Sequence, residues 1–416
     1  MLSTIKNAFK VEEIRGKIIF TLLMFLLFRI GAHIPAPGID AAVLEDLFSQ
    51  NIFGFIDVIS GGAFKNISIF AMGIMPYINA SIIMNLLTIV IPYFERLSKE
   101  GPEGKKKMAQ ITRYGCVVLG FVQAVAMSFY LKPALLDYNF FSVSMLVISL
   151  TAGTALLMWM GEMITEKGIG NGISLIIFAG IVSRLPSGIT YIVQSLRSGE
   201  TNFFAVLAFL VLAIIIIVGI IYIQEGQRRI PVQYAKRVVG RKVYGGQSTF
   251  IPLKVNQAGV IPIIFAMSLL MLPQLLASLF HGPVGTTIAS WFNNSHPVYM
   301  ILDSLLIFFF AYFYTAVTFS PVDVADNMKK NGGFIPGIRP GRPTAEYIDR
   351  ILTRLTLAGA FFLAFIALLP NLMSAATGLN VSFGGTSLLI AVGVALDTMK
   401  QLESQMLNRN YQGFMK

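Results

Sequence analysis

Apolar residues in this chain gather into ten runs, at 18–34, 67–93, 114–131, 140–163, 173–193, 203–223, 258–280, 298–319, 351–369 and 386–399, with polar or charged stretches between them. A helix rises about 1.5 Å per residue, so roughly 20 apolar residues cross the hydrocarbon core of a bilayer. The pattern predicts ten spans and an all-α polytopic membrane protein. The short alternating segments of a β-barrel are not the pattern seen. Asp397 interrupts the last run.

Residues 53–64, FGFIDVISGGAF, are apolar but too few to span, and they carry Gly61 and Gly62. Such a segment either lies on the membrane surface as an amphipathic turn or folds back into the protein. Non-helical backbone at membrane depth is tolerated only when it is buried in protein or faces a water-filled cavity.

Composition agrees with the spans. The chain has 416 residues, 55% of them hydrophobic and 13% charged, with a mean hydropathy of +0.71. Soluble domains carry about 25% charged residues. The net charge of +11 is mostly a topology signal, because Lys and Arg crowd into particular loops. The basic stretches are the N-terminal tail, 95–113, 224–256 and 321–350, whereas 281–297 and 370–385 contain no Lys or Arg. Both termini are therefore expected in the cytoplasm. Lys6, Lys10, Arg15 and Lys17 precede the first run as in a signal peptide, but no small-residue cleavage site follows, and the run is taken as a retained span.

Catalytic and metal chemistry find little support. Cys116 is the single cysteine, and His33, His281 and His296 are far apart with no HExxH spacing. No P-loop ending accompanies the glycines of 161–178, GEMITEKGIGNGISLIIF, which predict a tight cytoplasmic turn around Asn171. Arg29, Asp303 and Asp397 are ionisable and lie in or beside spans, near ends where a side chain can reach the interface. No span centre carries the acid or histidine chain of a proton-coupled pump. The chain is expected to be no enzyme by itself and to need no cofactor or metal.

Polar residues inside the second run, Asn79, Ser81, Asn85 and Thr88, either glue helices together or mark a face that meets changing surroundings. Gln123 and Ser268 are candidate neighbours. The insert 224–256 carries Arg228, Arg229, Lys236, Arg237, Arg241, Lys242 and Lys254 against one acid, Glu225. Ordering so long a charged loop costs conformational entropy, so it is expected to dock something. In 331–344, NGGFIPGIRPGRPT, prolines and glycines alternate around Arg339 and Arg342. That composition predicts a rigid arch presenting an arginine for recognition.

The stretches IFAMGIMPYINASIIMNLL, GEMITEKGIGNGISLIIFAG, GQRRIPVQYAKR, STFIPLKVNQAGVIPIIFA, FIPGIRPGRPTAEYI and GGTSLLIAVGVALD resemble, in collinear order over nearly the whole chain, the SecY/Sec61-alpha family of protein-translocase channels. The resemblance implies two pseudo-symmetric inverted halves around an hourglass pore, residues 1–202 with spans one to five and 203–416 with spans six to ten. It implies a pore ring at Ile74, Ile78, Ile173, Ile177, Ile264 and Ile390, and a short re-entrant plug helix at about 53–66 with Phe55, Ile56, Val58, Ile59, Gly61, Gly62 and Phe64. It implies a lateral gate of spans two, three, seven and eight with Asn79, Asn85, Gln123, Ser268 and Leu272. Asn85 departs from the Gln or Glu common at that place.

The loops 224–256 and 321–350 would dock SecA, the ATP-driven motor, or a ribosome through Arg228, Arg229, Lys236, Arg237, Arg241, Lys242, Arg339 and Arg342. Arginine pairs with carboxylate or RNA phosphate alike. SecE would clamp the halves, with SecG a further small subunit. The implied activity is passage of signal-bearing, unfolded preproteins across the bacterial cytoplasmic membrane, with membrane segments released sideways to lipid. The competing classes are a secondary transporter of small solutes, which would need polar groups at the midplane, and an intramembrane protease, whose paired catalytic residues are not found.

Overall fold

The computed structural model describes residues 9–39, 60–64, 66–199, 202–234, 237–239, 242–244, 248–279, 287, 290–292, 296–377 and 385–414. A helix occupies every predicted run. The first four runs hold α1 (Glu12–Gly31), α2 (Met75–Val90) followed by α3 (Pro92–Lys99), α4 (Pro102–Tyr130) and α5 (Phe140–Lys167). The fifth holds α6 (Gly172–Ser183) and α7 (Leu185–Arg197), and the sixth α8 (Phe203–Glu225). Then come α9 (Ile261–Leu279), α10 (Pro297–Thr318) with α11 (Pro321–Lys330) after it, α12 (Arg342–Thr377) and α13 (Gly385–Phe414). Six spans qualify by length and apolarity alone, or seven if the bent pair α2–α3 counts. The other three sites hold α1, with Glu12, Glu13, Arg15, Lys17 and Arg29, the short apolar helix α9, and α13, which carries Asp397 and Lys400.

Two predicted spans differ from expectation in shape. Residues 67–74 are turns, and α2 starts only at Met75 with Pro76 in its first turn, where a missing N–H costs nothing. Ile91 is extended (φ −109°, ψ 115°) because Pro92 follows, and α3 leaves at 101° to α2. The fifth run breaks at Arg184, just before Pro186. The turn between α5 and α6 is built as predicted: Gly170 has φ +86°, and Asn171 Oδ1 accepts from the Ser174 N–H at 3.2 Å to cap α6.

One buried apolar cluster runs through nearly all spans. Among the first five, α1 packs on α5, α2 on α4, α4 on α5 and α5 on α6. Among the last five, α8 packs on α13, α9 on α10, α10 on α12 and α12 on α13. The two sets meet where α9 lies on α2 and α4, and where α13 lies on α6. The backbone after residue 60 turns inward: Ala63, Phe64, Ile67, Ser68 and Phe70 are all buried, and Phe70 stacks on Phe28 of α1 at 6.2 Å. For residues 60–64 the surface-lying alternative therefore fails.

Gly153 of α5 lets this inward backbone approach, since a Cβ there would collide with the Ile69 carbonyl. Gly153→Ala is expected to destabilise the protein by about 1–3 kcal/mol, as overpacking does, read as a lower Tm of the purified protein in detergent. An unchanged Tm would contradict the close approach.

Candidate functional site

The candidate site has three parts: the predicted isoleucine waist, the α2/α4–α9 seam and a β-sheet. At the waist, Ile74 and Ile78 at the start of α2, Ile177 of α6, Ile264 of α9 and Ile390 of α13 are buried in one cluster. Ile173 is half-buried against that cluster, and its Cδ1 lies over Gly161 of α5. Ile74 caps α2 rather than lying within it, yet it remains within one turn of Ile78, whose N–H donates to the Ile74 carbonyl at 3.1 Å. The six predicted positions, on four helices with two in each set, all lie in or against this buried apolar cluster, which runs through nearly all spans. Of the predicted plug residues, Phe64 joins the same cluster, while Gly61 and Gly62 have φ of +67° and +88° in a turn. Phe55, Ile56, Val58 and Ile59 lie outside the described residues.

At the seam, Ser268 of α9 is fully buried, and its hydroxyl donates to Met75 Sδ of α2 at 3.9 Å. Asn79 stands one turn after Met75 and is buried, as is Gln123 of α4. Asn79 Nδ2 has no hydrogen-bond partner among the described residues. A buried, unmatched amide is costly. Asn85 is only half-buried, and its carbonyl accepts from the Thr88 hydroxyl at 2.6 Å, a contact within α2. Leu272 follows Ser268 by one turn on α9, and its side chain lies outside the described residues.

The sheet was not expected. Residues 227–234 (β1) and 248–254 (β4) form an antiparallel ribbon, with Ile230 opposite Ile251 and Arg229 opposite Pro252. Residues 333–334 (β5), from the second loop, pair with the far end of β1 at Gln233 and Tyr234. The two predicted docking loops are therefore one three-stranded sheet. Alternation does the work: Ile230 and Val232 face inward with Leu253 onto Met328, Ile335 and Ile348, while Arg229 and Pro231 face out. That period-two pattern was the signal available in the sequence.

Arg228 and Arg229 are exposed on β1, and the Arg229 guanidinium sits 4.8 Å from the Phe250 ring centroid. Strands 237–239 (β2) and 242–244 (β3) carry Arg237 and Lys242 on a small hairpin, whose side chains lie outside the described residues, as do Lys236 and Arg241 altogether. Arg339 is exposed on a turn between Gly337 (φ +82°) and Gly341 (φ +100°). The hydroxyl of the buried Thr344 donates to the Arg339 carbonyl at 2.8 Å and holds the arch. Arg342 pairs with Glu346 at 3.1 Å, so its charge is partly committed to its own helix.

Between sheet and waist, a cavity of about 440 Å³ is lined by carboxamides that carry no sequence signal for such a role, including Asn171, Gln224, Asn256, Gln257 and Gln401. Ile261 and Val394, one turn from Ile264 and Ile390, line it as well. Lys400 and Glu225 pair at 2.8 Å and tie α13 to α8 at its rim. Asp397 lines the same cavity, whereas Asp303 is buried in α10 with Oδ1 unmatched among the described residues. No cluster able to hold a metal occurs among the described residues.

The described residues thus hold an amide-lined cavity, a buried apolar cluster and a buried polar contact between α2 and α9. A profile of the SecY family matches residues 68–399. Protein translocase subunit SecY of Halalkalibacterium halodurans is 51% identical, with all of both chains covered. Among solved structures, a protein conducting channel superposes with a TM-score of 0.69 at 21% identity, covering 94% of this chain and 92% of that one. Sec61 in a canine ribosome-channel complex gives 0.65 at 20% identity, covering 94% and 92%.

Proposed function

Because the chain belongs to the SecY family, we propose that its protein-conducting channel runs through the carboxamide-lined cavity, past the isoleucine waist, with the α2/α4–α9 seam as its lateral exit. The chain is a membrane channel subunit of the protein translocase, and the small-solute transporter alternative is left without support. The observation that supports the pore assignment is that Ile74, Ile78, Ile173, Ile177, Ile264 and Ile390 lie in or against one buried apolar cluster, with Ile264 and Ile390 one turn from residues that line the carboxamide cavity. A ring of yielding apolar side chains excludes ions by dewetting while a polypeptide passes.

Energy comes from a partner, and the chain itself carries no catalytic step. SecA or a ribosome docks on the sheet through Arg228, Arg229, Lys236, Arg237, Arg241, Lys242, Arg339 and Arg342. The solved Sec61 relative sits on a ribosome, and a guanidinium-rich surface suits carboxylates and phosphates equally. SecE and SecG cover parts of the lipid-facing surface; α8, which buries only Ile216 and Ile220, has room for them. The site is the bacterial cytoplasmic membrane, with both termini in the cytoplasm, in keeping with the loop charges.

Proteoliposomes holding this chain with SecE, given SecA and ATP, are expected to protect a signal-bearing preprotein from external protease. Absence of protection, with the complex correctly inserted, would sink the proposal.

A further inference from the structure

Arg29 lies two residues from the end of α1, yet it reaches partners remote in sequence. Its Nη1 donates to the Gly61 carbonyl at 2.7 Å and to the Ser183 hydroxyl at 3.3 Å. Ser183 is the last residue of α6, and its own hydroxyl donates to the Gly180 carbonyl at 2.7 Å, which turns its lone pairs toward Arg29. Gly61 runs so close to α6 that a Cβ there would stand 3.0 Å from Gly180 Cα and 2.9 Å from Ser183 Oγ. Its φ of +67° is a second reason for glycine. His33 Nδ1 lies 2.9 Å from the Arg29 carbonyl and finishes the helix end that carries the guanidinium.

A charge-assisted bond to a carbonyl, here part-buried, is among the stronger contacts available to a loop. Everything the clasp joins, namely α1, the turn 60–64 and α6, belongs to the first five spans. The contact between α9 and α2/α4, where Ser268 meets Met75, contains none of these residues.

We infer that Arg29 is a positioning residue that clasps the end of the 60–64 turn onto α6, and that this lock on the plug is separate from the lateral seam. The inference rests on the reading of 53–66 as the plug. A seam that parts at α9 leaves the clasp intact. Release of the plug then needs its own event, the rupture of the Arg29 fork.

Reconstituted with SecE in planar bilayers, Arg29→Leu is expected to raise the fraction of conducting channels about ten-fold, the scale of one hydrogen bond to a charged group. Ser183→Ala, a milder change that keeps α6 whole, should raise it less. Disulfide formation between Met75→Cys and Ser268→Cys, which reads the seam, should proceed at an unchanged rate in both variants. Amide hydrogen exchange across residues 60–64 reads the clasp itself and should quicken in Arg29→Leu, while Arg29→Lys, which keeps a cationic donor, should leak less than Arg29→Leu.

Unchanged exchange in Arg29→Leu would overturn the clasp, as would an Arg29→Lys leak equal to that of Arg29→Leu or a faster seam disulfide. Faster exchange with unchanged conductance would overturn the proposal through the plug reading rather than through the clasp.

Discussion

Replacing Ile78, Ile177, Ile264 and Ile390 together by asparagine is expected to convert a sealed channel into one that leaks ions continuously. All four side chains are buried in one cluster, and Ile264 and Ile390 stand one turn from residues that line the amide cavity. Each asparagine brings a donor and an acceptor that cost about 1–3 kcal/mol if left unmatched. Water is the cheapest partner, and the vestibule lies one turn away. Once the constriction wets, the dewetting barrier to ions is gone. Single replacements should be graded by burial: Ile390, fully buried, should leak most, and Ile173, half-buried over Gly161, least. The same four positions changed to valine keep an apolar wall and should stay tight. Planar-bilayer conductance decides the matter, and an asparagine quadruple variant that conducts no more than the parent rules the ring out.

Reversal of charge at Arg339 is expected to abolish most SecA-driven translocation while leaving the protein folded. Arg339 is exposed, its backbone is held by Thr344, and no ion pair engages its side chain among the described residues. Nothing in the fold therefore depends on the guanidinium. Removing a charge-assisted hydrogen bond to a partner costs about 1.5–3 kcal/mol, and the reversed charge adds repulsion. Docking should weaken by more than ten-fold. Arg342→Glu should cost less, because that side chain already pairs with Glu346. Membrane insertion and SecE association of Arg339→Glu should match the parent. If this variant translocates preprotein at the parent rate, Arg339 is not a docking residue.

Hydropathy placed a helix at each of the ten runs, six or seven of which are long and apolar enough to span, because the bilayer imposes a minimum apolar length that few other constraints can mimic. It misjudged their ends for two reasons. Within the apolar stretch 67–93, Pro76 and Pro92 punctuate the backbone, and apolarity says nothing about that. Beyond the apolar stretches, α4 begins at Pro102 and α13 runs on to Phe414, because charge reports topology while helix propensity continues undisturbed.

The waist could be placed only by resemblance, since an isoleucine facing a pore and one facing lipid read alike. Glycine and proline around Arg339 did announce a rigid arch. The Ser268–Met75 contact and the Arg29 fork join residues 193 and 154 positions apart, so no local pattern announces either. The sheet hid for the same reason: β5 pairs with β1 across the whole of α9, α10 and α11.

That pairing has a mechanical consequence. Two separate hairpins pushed by a motor would bend independently, each dissipating the stroke in its own loop. Cross-linked by backbone hydrogen bonds and a shared apolar underside, they form a stiff plate anchored to α8, α9, α11 and α12. A thrust delivered at Arg228 or Arg339 would therefore be shared among those four helices rather than absorbed in one loop.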